Sequence, residues 1–283
     1  MKTKIKGGKE IKSKSKILLF IIIILVLSFY FLLPLIRPTL NQTFNKEFID
    51  KVDQYVLSAN IYIVGLEYSK EGNDSISVPV GASGVIIGRE SNKYYALTAK
   101  HVLNEPNNNT TRFIVMGHNQ PDYKDFISKE GEYQRLNDYY QQFPEAEIEY
   151  SNDQYDLAII SFKTNENYTV LPISTENPKY GDKVAAMSNQ NGERNMVTAG
   201  KISSRKPSPF GDEEGKNQYP IIKHTAFISG GSSGSALLNE NLEIVGINLG
   251  GKENIFHSFI AGMAMPSDRI LTFLDEWENQ RSH

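Results

Sequence analysis

The chain of 283 residues contains no cysteine. That excludes disulfides, thiol nucleophiles and thiolate metal sites. Beyond the N-terminus acidic residues outnumber basic ones. Residues 1–16 (MKTKIKGGKEIKSKSK) hold seven lysines and one glutamate, so the other 267 residues carry −9 against −3 for the whole chain. An acidic body offers no basic face for nucleic acid, and no nucleic-acid partner is expected. Also missing are a phosphate-cradling glycine loop, a dinucleotide-binding glycine pattern and a clustered set of metal ligands. No cofactor and no metal site are therefore expected. There is no internal repeat.

What is present begins with 17–36, ILLFIIIILVLSFYFLLPLI, twenty residues without a charge. At about 1.5 Å per residue a helix of that length spans about 30 Å, the hydrocarbon thickness of a bilayer. The run is longer than the apolar part of a cleaved signal peptide, and no small-x-small cleavage site follows it. The expectation is a transmembrane helix at 17–36 behind a basic cytoplasmic tail at 1–16, with the lysines keeping the N-terminus inside. The protein would then be a single-pass protein of the cell membrane with everything after Arg37 extracytoplasmic.

Residues 37–57 read as a linker and a helix, with Phe44, Phe48, Val52 and Val56 at helical spacing. From 58 onward the pattern changes to short apolar runs: NIYIVGLEY, ASGVIIG, KYYALTA, RFIVMG, YDLAIISF, KVAAMS, YPIIKHTAF, LEIVGINLG and SFIAGMAM. Gly, Asn, Asp, Lys and Glu separate them. Repeated short strands with turn signals between them predict an all-β barrel or sandwich. The tail differs: Ile270, Leu271, Phe273, Leu274 and Trp277 give a helical apolar face over 267–279. Three polar stretches, 103–110, 118–147 and 205–218, read as loops.

GGSSGSALLN (230–239) combines glycines with three serines. A serine hydroxyl is a weak nucleophile at neutral pH. It needs a base to take its proton, commonly a histidine steadied by a carboxylate, and N–H donors for the oxyanion. Glycines let backbone N–H groups converge in a tight turn. Of five histidines, His101 directly follows the predicted strand KYYALTA, so it has a rigid support. His118 opens a polar loop, His224 and His257 lie in or beside apolar strands and read as structural, and His283 is terminal. Asp156 opens the apolar strand YDLAIISF, where a carboxylate is costly to bury without a partner.

Taken in order, ASGVIIG, TAKH, DLAII and GSSGSAL resemble the trypsin-like (chymotrypsin-fold) serine peptidases. YGDKVAAMSNQNG (180–192), VTAGKISS (197–204), IVGINLG (244–250) and AGMAMPS (261–267) resemble the bacterial HtrA/Deg branch, and the chain is similar also to glutamyl endopeptidases. The resemblance covers roughly 58–275. It implies an all-β fold of two six-stranded antiparallel β-barrels, about 58–170 and 171–266, closed by the C-terminal helix in a protease domain of 58–279. The family frame G-x-S-G selects Ser233 as nucleophile, with His101 as base and Asp156 orienting it. It also implies an oxyanion hole from the N–H groups of Gly231 and Ser233. Ser232 stands where the family has Asn or Asp, and Ser235 replaces the commoner glycine.

The implied activity is endopeptidase cleavage of a protein or peptide substrate. The alternative is an inactive homologue serving as a membrane-anchored binding or sensor domain. The specificity pocket would involve Phe227, Ile228 and Asn248. Phe227 stands where trypsin-type pockets carry an acid, and Asn248 where glutamyl endopeptidases carry a histidine. Small or medium apolar side chains are therefore expected before the scissile bond. No PDZ-like module fits in the short segment after 266. The sequence does not give the oligomeric state.

Overall fold

A computed structural model describes residues 21–25, 28, 45–68, 76–77, 81–103, 110–123, 139–211 and 218–282. Among the described residues, fourteen strands and two long helices make up the fold. Helix α1 (Lys46–Val56) buries Phe48, Val52 and Val56, one face of the 3.6-residue repeat. Phe44 lies outside the described residues. Strands β1 (Asn60–Tyr68), β2 (Ile76–Ser77), β3 (Ala82–Glu90), β4 (Lys93–Ala99), β5 (Thr110–Gly117), β6 (Glu147–Asn152) and β7 (Leu157–Lys163) form one antiparallel sheet. Strands β8 (Lys183–Gln190), β9 (Glu193–Lys201), β10 (Ser208–Gly211), β11 (Gln218–His224), β12 (Ala236–Leu238), β13 (Ile244–Glu253) and β14 (Phe259–Pro266) form the second.

Each sheet therefore has seven strands, not the six expected. The extra strand is a short addition to a ring of six. In the first sheet the ring runs β1–β3–β4–β7–β6–β5, with β5 back on β1. The β5–β6 closure is made just ahead of β6, by the bridge Ile114–Glu145 and the bonds Ala146 N–H to Phe113 O and Val115 N–H to Pro144 O. The two-residue β2 only extends the β1 hairpin. The second ring runs β8–β9–β11–β14–β13–β12, closed between β9 and β11 by the Ile202–His224 bridge and two flanking backbone bonds. Here β10 is the addition, paired with β11. Closing each ring removes the exposed strand edges that an open sheet would leave.

The membrane-spanning helix is corrected as well. Among the described residues no helix is long and apolar enough to cross a membrane. Of 17–36, only Ile21–Leu25 and Ser28 are described as helical. The rest of that stretch, the tail 1–16 and the linker 37–43 lie outside the described residues.

The barrels meet on a polar seam. Asn60 of β1 donates to the Asn189 side chain of β8 at 3.1 Å, and Asn189 donates to the Ile61 carbonyl at 2.9 Å. Both asparagines are buried, and each is satisfied, as burial of an amide requires. Helix α2 (Ser267–Arg281) leaves the second barrel and crosses to the first. Phe273 packs on Tyr150 and Tyr155, and Trp277 on Tyr95. Arg281 then stacks over Trp277 and pairs with Glu90 at 3.2 Å.

The long polar stretch 118–147 is partly packed. Tyr123, Tyr139, Tyr140 and Phe143 form an aromatic cluster on Val64, Leu66, Ile114 and Met116 of the first barrel. Burial drives the Tyr140 phenol well above its ordinary range. Arg194 from the β8–β9 hairpin anchors the start of this stretch. Its nearly buried guanidinium meets Asp122 at 3.3 Å, the Gln120 carbonyl at 2.6 Å and the Gly117 carbonyl. Residues 124–138 lie outside the described residues.

Candidate active site

Strand register brings His101 and Asp156 together. Ala99 at the end of β4 faces Leu157 at the start of β7, so the residues just beyond each strand converge. His101 lies in the 3-10 turn Lys100–Leu103. The Asp156 carboxylate accepts the His101 backbone N–H at 2.9 Å and contacts His101 Nδ1 at 2.7 Å. The Asp156 carbonyl accepts the Lys100 N–H at 2.9 Å. With Nδ1 occupied by a carboxylate, the imidazole presents Nε2 outward, the tautomer that can receive a proton there. Asp156 has φ +49°, a left-handed conformation uncommon outside glycine, which Asp tolerates better than most.

The serine turn is built differently. Gly231 has φ +93° and Gly234 φ +84°. A Cβ on Gly234 would run into the Ser83 carbonyl, the Thr98 hydroxyl and the Ala99 backbone nitrogen. The turn thus docks on β3 and β4 of the first barrel, two residues from His101, and only glycine fits there. Ser83 is the principal dock. Its N–H donates to the Ser233 carbonyl at 2.9 Å and its hydroxyl to the Gly231 carbonyl at 2.8 Å. The same hydroxyl accepts the Asn189 N–H at 2.8 Å.

The Gly231 and Ser233 peptide N–H groups of this turn are left over. The Gly230 carbonyl accepts the Asn191 N–H at 2.8 Å, and the Ser232 carbonyl accepts the Ser235 N–H at 3.0 Å. In a trans peptide the C=O and the next N–H point in opposite directions. Tying those two carbonyls back therefore turns the Gly231 and Ser233 N–H groups the other way. Neither has a hydrogen-bond partner among the described residues. Two unpaired donors in one turn can hold a developing oxyanion.

The Ser233 hydroxyl donates to the Leu249 carbonyl at 3.4 Å, and no hydrogen bond joins it to His101 among the described residues. Rotation about a single χ1 bond redirects such a hydroxyl, and catalytic contacts are often loose before substrate binds. Ser232 is buried behind the turn, and Gln190 Oε1 accepts its hydroxyl at 3.1 Å and that of Ser229 at 3.2 Å.

The pocket candidates separate. Ile228 is buried and lies beside Gly251. Phe227 packs edge-on against Phe259, with ring centroids 5.2 Å apart. Asn248 is fully buried beneath the turn. Its Oδ1 meets His224 Nε2 at 2.8 Å and its Nδ2 donates to the Ser235 hydroxyl at 2.8 Å, so both ends of the amide face inward. His224 is wholly buried, and desolvation lowers its pKa to about 4. It is neutral at physiological pH. His257 instead sits exposed in the β13–β14 turn. Ser83, Gln190 and Asn191 were not singled out from sequence. The only signal for Ser83 was a small polar residue inside the apolar run ASGVIIG.

A trypsin-like peptidase domain matches residues 82–247, more than half of the chain, and the chain belongs to that family. Among its relatives is the serine endoprotease DegS of Haemophilus influenzae, 28% identical over 62% of this chain and 43% of that protein. The periplasmic pH-dependent serine endoprotease DegQ of Escherichia coli is 29% identical over 69% of this chain and 36% of its own. A glutamyl endopeptidase of Staphylococcus aureus is 25% identical over 71% of this chain and 51% of its own. The chain thus spans less than half the length of the DegS and DegQ relatives.

Proposed function

We propose that this protein is a serine endopeptidase acting on protein substrates. Ser233 Oγ attacks the carbonyl carbon of a peptide bond while His101 Nε2 takes its proton. The carbonyl oxygen gains the negative charge and is held by the Gly231 and Ser233 N–H groups. Asp156 keeps His101 in the receptive tautomer and stabilises the imidazolium. His101 then gives its proton to the leaving amine as the C–N bond breaks, leaving an acyl ester on Ser233. Water, deprotonated by His101, hydrolyses that ester and frees the serine.

The observation that carries this reading is the pair of unpaired N–H donors beside Ser233. The purified chain should hydrolyse a protein substrate and react with a fluorophosphonate at Ser233. Ser233→Ala should abolish both, and unchanged turnover in that variant would refute the assignment. For specificity we propose small or medium apolar side chains before the scissile bond. Phe227 and Ile228 bring no charge, and Asn248 spends its amide on His224 and Ser235. A peptide-library profile dominated by Glu or Arg would overturn that preference. We further propose that the domain works outside the cytoplasm, on the strength of the lysine-rich 1–16 followed by the uncharged 17–36. Digestion of a C-terminal tag by protease added to intact cells tests this.

A further inference from the structure

The 152–156 turn raises a physical problem. It ends on Asp156 at φ +49°, a left-handed conformation that Asp enters more readily than most non-glycine residues but that still depends on how the turn is held. The two bonds to His101 hold the carboxylate and the Lys100 N–H holds the Asp156 carbonyl, but none of these grips the residues just before Asp156. Something must hold the turn from the other side.

That other side is α2, about 120 residues later in the chain. Glu276 lies on the face of the helix that crosses to the first barrel. Its Oε1 accepts the Tyr155 hydroxyl at 2.6 Å. Its Oε2 accepts the Tyr150 hydroxyl at 3.0 Å and the Asn152 amide at 3.1 Å. One carboxylate therefore gathers three side chains from the end of β6 and the turn. Tyr155 is the residue immediately before Asp156. The turn continues the grip locally: Asn152 Oδ1 accepts the Gln154 N–H at 2.8 Å, and the Asn152 carbonyl accepts the Tyr155 N–H at 3.3 Å. The Tyr150 and Tyr155 rings both lie on Phe273, one helical turn before Glu276. Burial first, then the bond to Glu276, pushes the Tyr155 phenol up to about 12, so it stays a donor.

We infer that Glu276 is a positioning residue for the catalytic acid: through Tyr155 it fixes the left-handed turn that aims Asp156 at His101. A surface helix with a merely structural role would need only the apolar contacts of Phe273 and Trp277. A carboxylate with three donors converging on the turn before Asp156 has a more specific consequence. The C-terminal helix becomes part of the active-site support, and shifting or releasing it would disarm the site without touching the serine turn.

This rests on the proposed peptidase reading and deepens it. The test compares Glu276→Ala, Glu276→Gln and Tyr155→Phe with the parent chain. Tyr155→Phe is the mildest, since it keeps the ring on Phe273 and deletes only the hydroxyl. Both Glu276→Ala and Tyr155→Phe should lower kcat by about 10- to 100-fold with KM within about twofold, the signature of misplaced catalytic groups. Fluorophosphonate labelling of Ser233 should slow in parallel. Glu276→Gln, which still offers an acceptor to Tyr155, should recover part of the loss. The double variant should cost no more than the worse single one, because both break the same link. If Glu276→Ala fails to fold, Tyr155→Phe carries the same prediction alone. Unchanged kcat in Tyr155→Phe, or a loss confined to KM, overturns the inference. Full turnover by Ser233→Ala would instead refute the peptidase reading itself, so the two failures are told apart.

Discussion

The two barrels share one ring order, yet they hold their functional groups by different means. In the first barrel, His101 and Asp156 stand just beyond the ends of neighbouring strands, the Ala99–Leu157 register brings them close, and Glu276 of α2 braces the turn before Asp156. In the second, Ser233 sits in a turn that no strand aims. Positive φ angles at Gly231 and Gly234, the Ser83 dock and the backbone bond from Asn191 hold it. The first half of the site is therefore set mainly by paired strands, with α2 as a brace. The second half exists only because the other barrel supplies a surface for it. A site divided this way depends on the relative placement of the barrels, which the buried Asn60–Asn189 seam and helix α2 both secure.

The largest test of the strand-built half is Asp156→Asn. Asparagine keeps the shape but can present an N–H to His101 Nδ1, which favours the wrong tautomer. We expect kcat to fall about 10⁴-fold with the fold intact. A loss below tenfold would mean that the His101–Asp156 pair does not organise catalysis. The corresponding test of the turn-built half is Gly234→Ala. The added methyl meets backbone on the opposite barrel at a φ that alanine resists. A fall of about 10²- to 10³-fold in kcat is expected, of the size seen when oxyanion donors are lost. Near-normal kcat there would show that the turn tolerates displacement from Ser83, and the contrast between the barrels would lose its basis.

The contrast also governs what could be read from the amino-acid string. KYYALTA and YDLAIISF announce themselves as strands by β-branched and aromatic content, and both carry a chemically loaded residue at one end. Apolar runs and turn signals likewise predict most of the strands. β12, with only Ala236–Leu238, and the two-residue β2 are too short to produce a periodic signal. The serine turn was legible only as a motif, because its geometry depends on Ser83 and Asn189, which are distant in sequence. Glu276 was equally silent: its role needs α2 to cross from one barrel to the other, and no local pattern encodes a crossing. Asn248 shows the limit in another form. Sequence position placed it near a pocket, but its hydrogen bonds turn it inward to His224 and Ser235.

That inward network separates the barrels once more, by pH. His224 is buried in the second barrel with a pKa lowered to about 4 by desolvation. Below about pH 6.5 the unfolded chain takes up a proton that the folded His224 refuses until about pH 4. The unfolded state then binds more protons, so stability rises with pH across that window and is lost as pH falls. The loss approaches about 3 kcal/mol near pH 4. Melting temperatures from pH 4 to 7 should show a steep acid side in the parent chain and a flatter one in His224→Gln. His118, partly buried beside the first barrel, is also lowered by desolvation, so His118→Gln is the control. If His118→Gln flattens the profile and His224→Gln does not, acid sensitivity belongs to the first barrel.

The smallest expected effect bears on how redundantly the serine turn is held. Gln190 accepts hydroxyls from Ser229 and Ser232, but the carbonyls that aim the two free N–H groups are tied by Asn191 and Ser235, not by Gln190. Removing it leaves the buried Ser232 hydroxyl and the half-buried Ser229 hydroxyl without their shared acceptor and the backbone grip intact. Gln190→Ala should therefore reduce kcat by about tenfold or less, the scale of one or two neutral hydrogen bonds. KM should not move. Gln190→Glu retains an acceptor for both hydroxyls but places a charge at a buried position. It should keep kcat near the parent value while lowering the melting temperature. A collapse of kcat in Gln190→Ala comparable to that of Gly234→Ala would show that side chains, more than the glycine backbone, set the second half of the site.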